Sequence, residues 1–262
     1  MKLIKVPFSG GCLGKNLGCE QAPKEIVKNL KNFYLTEDGK IPVFDIAEVN
    51  VNPNNIEETN QNIYDKAKEV FSFSAPAFFI GGDHSITYST FKGFAEKYTN
   101  PGIVIFDAHP DCCTDFSPPT HEDFLRVLIN EKKIKPENVI LIGVRNWHKD
   151  EFLFLKENKI RNFMAKDISI MGLYDISEAV MELANKWDGL YISIDIDVLD
   201  PAFAPGTGYL EPGGLSTREL IYFLHRLKKL HNFKGGDIVE VNPAKDAGTT
   251  AVAAKIIVEL FS

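Results

Sequence analysis

A parallel α/β sheet with helices on both faces is the architecture that the apolar pattern of this 262-residue chain implies. Its hydrophobic runs, such as Ile103-Val104-Ile105-Phe106, are unbroken rather than alternating. Unbroken runs mark strands buried on both sides. They alternate with longer helical stretches, and about eight strand candidates follow one another without a linker, repeat or low-complexity segment. One α/β domain over residues 1–262 is therefore expected. A closed eight-fold barrel is the topological competitor, since strand count does not separate it from an open sheet. In both, the carboxyl ends of the strands share an edge, and ligands bind there.

Residues 2–7 read as the first strand. The stretch 9–19 is a glycine-rich loop but not a phosphate loop, because Gly14-Lys15-Asn16 lacks the Ser or Thr that must follow Gly-Lys. Pro23 opens a helix to about residue 30, with Ile26, Val27 and Leu30 on one face. A short strand over 42–46 precedes a polar helix over 54–70. The buried run 75–80 ends in Gly81-Gly82-Asp83-His84-Ser85, ahead of a helix over 87–98. The same order recurs where 103–106 runs into Asp107-Ala108-His109-Pro110-Asp111 before a helix over 122–131. Strands over 138–144 and 160–164 bracket a helix over 150–157, and 175–187 is amphipathic. Residues 189–196 form a strand closing on Asp195-Ile196-Asp197, followed by a proline- and glycine-rich loop over 200–214. Ser216 caps a helix to about residue 230, with Glu219 completing a capping box. A last strand over 237–241 ends Glu240-Val241-Asn242-Pro243, and 249–260 is an apolar closing helix.

With 44% hydrophobic and 25% charged residues, the composition is that of an ordinary globular protein. A net charge of −7 argues against nucleic acid as a partner, whose footprint is a basic patch. No stretch approaches the ~20 apolar residues of a membrane span, and the N-terminal run is too short and too interrupted for a signal peptide, so a cytoplasmic location is expected. Cys12, Cys19, Cys112 and Cys113 show no paired zinc spacing and are expected as reduced thiols.

Four strand ends carry candidate ligands: His84; Asp107, His109 and Asp111; Asp195 and Asp197; and Glu240. Each alone has an ordinary explanation as a loop histidine, a turn or a surface charge. Their coincidence at the ends of apolar strands on one edge favours a shared site. Imidazoles and carboxylates crowded there repel one another unless cations neutralise them. Bridging carboxylates hold two divalent ions about 3.5 Å apart, and such a pair lowers the pKa of a bridging water to give hydroxide near neutral pH. Oxygen-rich ligation with a little imidazole and no thiolate suits two Mn²⁺ ions better than zinc.

The stretches Gly81-Gly82-Asp83-His84-Ser85, Asp107-Ala108-His109-Pro110-Asp111 and Ser193-Ile194-Asp195-Ile196-Asp197 resemble the three signatures of the ureohydrolases: arginases, agmatinases and formiminoglutamases. The last continues through Pro201, Pro205-Gly206 and Gly213-Gly214, and the Glu240-Val241-Asn242-Pro243 strand end matches as well. The resemblance implies a three-layer α/β/α fold with a mostly parallel eight-stranded sheet and a binuclear manganese site. Carried over, His84 and Asp111 bind one ion, His109 and Asp197 the other, and Asp107 and Asp195 bridge. Asp111 also accepts a hydrogen bond from the bridging hydroxide, His121 shuttles protons, and Glu240 receives the substrate guanidinium. Homo-oligomers, trimers or hexamers, are the family's habit.

Two departures bear on substrate choice. The family follows the shuttle histidine with glycine, but here the run is Thr120-His121-Glu122-Asp123-Phe124, which is expected to place two extra carboxylates near the substrate entrance. Tyr209-Leu210 stands where relatives carry a small residue and proline. The short loop 112–120 and the lack of a clear set of neutral donors for an α-carboxylate favour agmatine over arginine as the small cationic guanidinium substrate, with Asp115 and Glu122 tolerating a second amine. Pro7-Phe8-Ser9 and Glu240-Val241-Asn242-Pro243 lean toward arginase. Formiminoglutamase or guanidinobutyrase activity, and a non-catalytic relative, are the further alternatives. A single-metal zinc deacetylase would not use the full ligand set.

Overall fold

Strands with no polar interruption are sheltered only when both faces of their sheet are covered, and parallel pairing needs a crossover between successive strands. The computed structural model, which describes residues 1–260, meets both demands. Strands β1 (Lys2–Lys5), β2 (Asp45–Glu48), β3 (Ala77–Ile80), β4 (Pro101–Phe106), β5 (Val139–Ile142), β6 (Arg161–Phe163), β7 (Gly189–Asp195) and β8 (Phe233–Val239) form one sheet in the order β2-β1-β3-β8-β7-β4-β5-β6. Every neighbouring pair is parallel. The sheet is open, with β2 and β6 at its edges, so the barrel topology is ruled out.

Alternation along each strand divides the core into two hydrophobic clusters. Val104 and Phe106 of β4 face one, and Ile103 and Ile105 the other. The first is covered by α1 (Ala22–Leu30), α6 (Ala165–Met171), α7 (Leu173–Ala184), α8 (Thr217–Leu227) and α9 (Ala247–Leu260). The second is covered by α2 (Ile56–Phe71), α3 (Ile86–Ala95), α4 (Phe124–Asn130) and α5 (Lys149–Glu157). Helices therefore lie on both faces, giving three layers. Each fully buried side chain such as Ile105 stabilises this arrangement by roughly 1.5–3 kcal/mol. Among the described residues no helix is long and apolar enough to cross a membrane.

Local signals set most boundaries. Asn55 caps α2 by accepting the Glu58 N–H at 3.0 Å. The expected capping box forms at α8, where Ser216 N–H donates to Glu219 at 2.7 Å and Glu219 N–H returns to Ser216 Oγ at 3.2 Å. Two elements depart from the sequence pattern. Helix α6 was not expected; it ends at Gly172, whose φ of 95° halts the turn before α7 begins. Strand β8 starts at Phe233 rather than 237, because Gly235 and Gly236 lie inside the strand, not in a turn. Both are wedged between neighbours: a Cβ would sit 1.8 Å from Ala77 O at Gly235 and 1.8 Å from Ile192 O at Gly236.

Candidate active site

The strands that end in the candidate ligands, β3, β8, β7 and β4, are consecutive neighbours in the sheet. Their carboxyl ends therefore converge without any long-range loop excursion. His84 follows β3, Glu240 follows β8, Asp195 and Asp197 close β7, and Asp107, His109 and Asp111 follow β4. Two of these residues hold left-handed backbone: Asp111 at φ 49° and Glu240 at φ 63°. Such geometry is costly for a residue with a side chain and is concentrated at functional sites. It turns both carboxylates back over the edge of the sheet.

His84 Nδ1 lies 3.1, 2.8 and 3.2 Å from oxygens of Asp107, Asp111 and Asp195. His109 Nδ1 lies 3.4 Å from Asp107 and 3.2 Å from Asp197. Asp107 thus serves both imidazoles, presenting Oδ2 to His84 and Oδ1 to His109. Asp195 turns Oδ2 to His84, while its Oδ1 accepts the Asp197 N–H at 2.8 Å.

A buried hydrogen-bond chain behind His84 fixes its tautomer. Ser193 Oγ donates its only proton to Asp237 at 2.6 Å, so it accepts from His84 Nε2 at 2.9 Å. Asp237 also receives Tyr191 OH at 2.6 Å and Thr87 Oγ1 at 2.9 Å. With its proton on Nε2, His84 aims the Nδ1 lone pair at carboxylate oxygens. Neither His84 Nδ1 nor Asp107 Oδ2 makes a hydrogen bond, although both are buried. An unpartnered imidazole nitrogen among carboxylate oxygens is a donor set that fits a cation, and an imidazole held from behind by a hydroxyl and a carboxylate is how proteins orient metal-binding histidines. The donors gathered around His84 and around His109 lie close enough together to hold metal ions. Burial, then Asp197 and Asp107, drive the Asp195 carboxyl well above its ordinary range; burial and Asp107 push Asp111 up to about 8. No Lys or Arg pairs with these residues among the described residues. Arg145, beside them, spends its guanidinium on the carbonyls of Gly143, Asp197, Val198, Leu199 and Glu211.

Glu240 is held from three directions. Its Oε1 accepts the His84 N–H at 2.7 Å and faces His121 Nδ1 at 3.2 Å, and its Oε2 accepts Asn16 Nδ2 at 2.7 Å. Asn16 comes from the glycine-rich loop, whose purpose the sequence did not disclose. That loop floors the site: Gly11 N–H donates to Asp83 at 2.9 Å, and His121 N–H donates to Gly11 O at 3.1 Å. Gly82 permits the approach, as a Cβ there would lie 1.7 Å from Phe8 O. Burial lowers the affinity of His121 for a proton, but its hydrogen bond to Glu240 and that residue's charge raise it to about 9.

A cavity of about 230 Å³ opens above this floor. His109, Asp111, His121, Asp195, Asp197 and Glu240 line it, while His84 and Asp107 stand fully buried behind them. The two extra carboxylates part company. Glu122 lines the cavity, but Asp123 is buried and accepts Phe116 N–H at 2.6 Å and Thr120 N–H at 2.7 Å, so it staples its own loop. Asp115 lies outside the cavity lining as well, accepting Asn130 Nδ2 at 2.7 Å on the surface. All four cysteines are free thiols; Cys112 is a buried packing residue, and burial foremost raises each thiol.

A family model described as the arginase family matches residues 1–262. An arginase of Staphylococcus aureus (strain MSSA476) is 32% identical over 94% of this chain and 92% of its own length. An agmatinase of Bacillus subtilis (strain 168) is 31% identical over 94% of this chain and 81% of its own. Among solved structures, the formimidoylglutamase of Bacillus subtilis superposes with a TM-score of 0.92 at 27% identity, covering 99% of this chain and 85% of that one.

Proposed function

The chain belongs to the arginase family, whose hydrolases act on guanidino and amidine C–N bonds, and from that membership we propose that residues 1–262 form one catalytic domain that hydrolyses a guanidinium compound to urea and an amine, with agmatine favoured. We assign two Mn²⁺ ions to the strand ends. His84 and Asp111 would hold one and His109 and Asp197 the other, with Asp107 and Asp195 shared. The two faces of Asp107, each turned to a different histidine, support that assignment. What such a pair supplies when bound is a lowered pKa for water, so that a nucleophile is available near neutral pH.

The chain's own residues do the rest. Glu240, held by Asn16 and the His84 N–H, receives the planar guanidinium as a carboxylate fork does. Asp111 takes the proton released by the attacking water and passes it toward the leaving nitrogen. His121 donates to the departing amine; its Nδ1 is fixed by Glu240, and its Nε2 is buried without a partner in the cavity wall.

The lining of the cavity carries the choice of agmatine. It contains Asp111, Glu122, Glu151, Asp195, Asp197 and Glu240 but neither Lys nor Arg. Once the residues assigned to metal and guanidinium and the backbone-bound Glu151 are set aside, Glu122 is the lining carboxylate left for a tail, so an amine tail meets an opposite charge there and a carboxylate tail a like one. Arginine is the second reading, on the likeness to the staphylococcal arginase. Product release from agmatine, arginine, guanidinobutyrate and formiminoglutamate, each with and without Mn²⁺, tests the proposal. Agmatine is expected to show the highest kcat/KM, dependent on the metal; a higher value for arginine would replace it.

A further inference from the structure

We propose that Glu122 and Tyr209 form a clamp at the cavity mouth that selects guanidinium compounds carrying a second cation. The inference rests on the guanidinium-hydrolase reading above and names the residues that choose the tail. Glu122 and Tyr209 both line the cavity, and they touch. Tyr209 OH donates to Glu122 Oε1 at 2.9 Å across 87 residues of chain. The Tyr209 ring stacks on His121 with centroids 6.1 Å apart and meets His109 edge-on at 5.4 Å. One side chain therefore spans the proposed shuttle histidine and a proposed metal ligand, and delivers its hydroxyl to the new carboxylate.

Exposure gives the clamp its depth. The Glu240 and His121 side chains are 5% and 4% exposed, whereas Glu122 is 31% exposed. Glu122 Oε1 lies 3.8 Å from His121 Nε2, on the far side of the imidazole from Glu240. The site thus offers an inner carboxylate and an outer one separated by the imidazole and its contacts of 3.2 and 3.8 Å, which suits two cations joined by a short alkyl linker. Among the described residues Glu122 Oε2 has no protein partner, and no Lys or Arg in the lining neutralises it. A terminal ammonium gains this oxygen and the face of Tyr209. A terminal carboxylate is repelled, and discrimination comes as much from that penalty as from the attraction.

The competing explanation is a latch that closes the mouth equally over any substrate. Agmatine and butylguanidine separate the two, because they share the guanidinium and the linker and differ in the terminal charge. For the wild type, Glu122→Gln and Tyr209→Phe we would measure kcat/KM on both compounds, and their affinities for the Mn²⁺-loaded protein by titration calorimetry. The agmatine-to-butylguanidine ratio is expected to fall about tenfold in Glu122→Gln, chiefly through KM and affinity. Tyr209→Phe keeps the ring and loses the hydroxyl, so about a threefold fall is expected there, and it carries the test should Glu122→Gln not fold. A latch lowers both compounds together, so an unchanged ratio overturns the clamp. Wild-type preference for arginine over agmatine would defeat the substrate reading while leaving this ratio to be judged separately. If neither guanidine is turned over, the calorimetric ratio decides the clamp by itself.

Discussion

Among the described residues, histidine and carboxylate ligating atoms cluster at the strand ends and beside α8 and α9, and the two clusters differ in the Lys and Arg around them. At the strand ends, His84 and His109 meet Asp107, Asp111, Asp195 and Asp197. Beside α8 and α9, His225 meets Glu37 and Glu259 with donor atoms equally close together. The second group brings its own cations. Lys255 pairs with Glu259, and Arg218 pairs with Glu37 at 2.7 Å. Among the described residues no Lys or Arg pairs with the first group, and the neighbouring Arg145 guanidinium is turned to backbone carbonyls. Clustered ligating atoms therefore do not make a metal site. A deficit of Lys and Arg around them, with an unpartnered imidazole nitrogen turned to carboxylate oxygens, is the ground on which the strand ends are proposed as one.

The largest consequence lies in metal content and rate. Asp107→Ala removes the carboxylate that faces both histidines, so the protein should lose both Mn²⁺ ions by elemental analysis and at least about a thousandfold in kcat/KM. Glu240→Ala, which leaves the ligands intact, should keep the metal and lose guanidinium binding. Two ions retained in Asp107→Ala would show that Asp107 is not shared.

At the second group the effect is on folding. Glu259 is fully buried, and its pKa is held below the ordinary value: burial opposes this, but Lys255, the Glu37 N–H and His225 outweigh it. Glu259→Gln should cost about 2 kcal/mol in urea unfolding near neutral pH, reduced from the usual loss for a broken buried pair because Lys255 and His225 are partly solvated. Because the folded pKa is depressed, this contribution is present above the unfolded value and is lost as pH falls through the folded one. Wild type and variant should converge only once the pH has fallen below that depressed folded pKa, under the ordinary glutamate range. Addition of Mn²⁺ should leave the difference unchanged; a metal-dependent difference would make the second group a metal site after all.

The sequence revealed the first group well because its signal is local: each ligand directly follows an apolar strand, and parallel strands bring such positions to one edge. Adjacency of β3, β8, β7 and β4 was not readable, since it depends on crossovers that leave no mark at the strand ends. Asn16, Ser193 and Asp237 were missed as supports for the same reason; their side chains act on residues 224, 109 and 150 positions away or nearly so, as in the Asn16–Glu240, His84–Ser193 and Thr87–Asp237 contacts. Asp123 was placed at the entrance because adjacent acids look alike in sequence, yet one turn of backbone sends Glu122 into the cavity and Asp123 into its own loop. The start of β8 at Phe233 was missed because its glycines, which serve where strands crowd, carry no apolar signal.

The smallest effect separates the two groups by sign. In Asp195→Asn the amide oxygen can still accept the Asp197 N–H, now accepted at 2.8 Å, while the amide N–H₂ faces the His84 Nδ1 lone pair in place of an oxygen 3.2 Å away. The amide needs no proton to sit there, whereas the wild-type carboxyl, pushed well above its ordinary range by burial, Asp197 and Asp107, must take one up on folding. In chelator the variant should therefore unfold at higher urea than wild type, by about 1 kcal/mol. In excess Mn²⁺ the order should reverse, because the wild type gains ligand-binding free energy that the variant has largely lost. Removal of a carboxylate from the second group destabilises whether or not metal is present. Loss of stability for Asp195→Asn in chelator would mean that the strand-end carboxylates are already compensated within the chain, and that the contrast between the two groups is false.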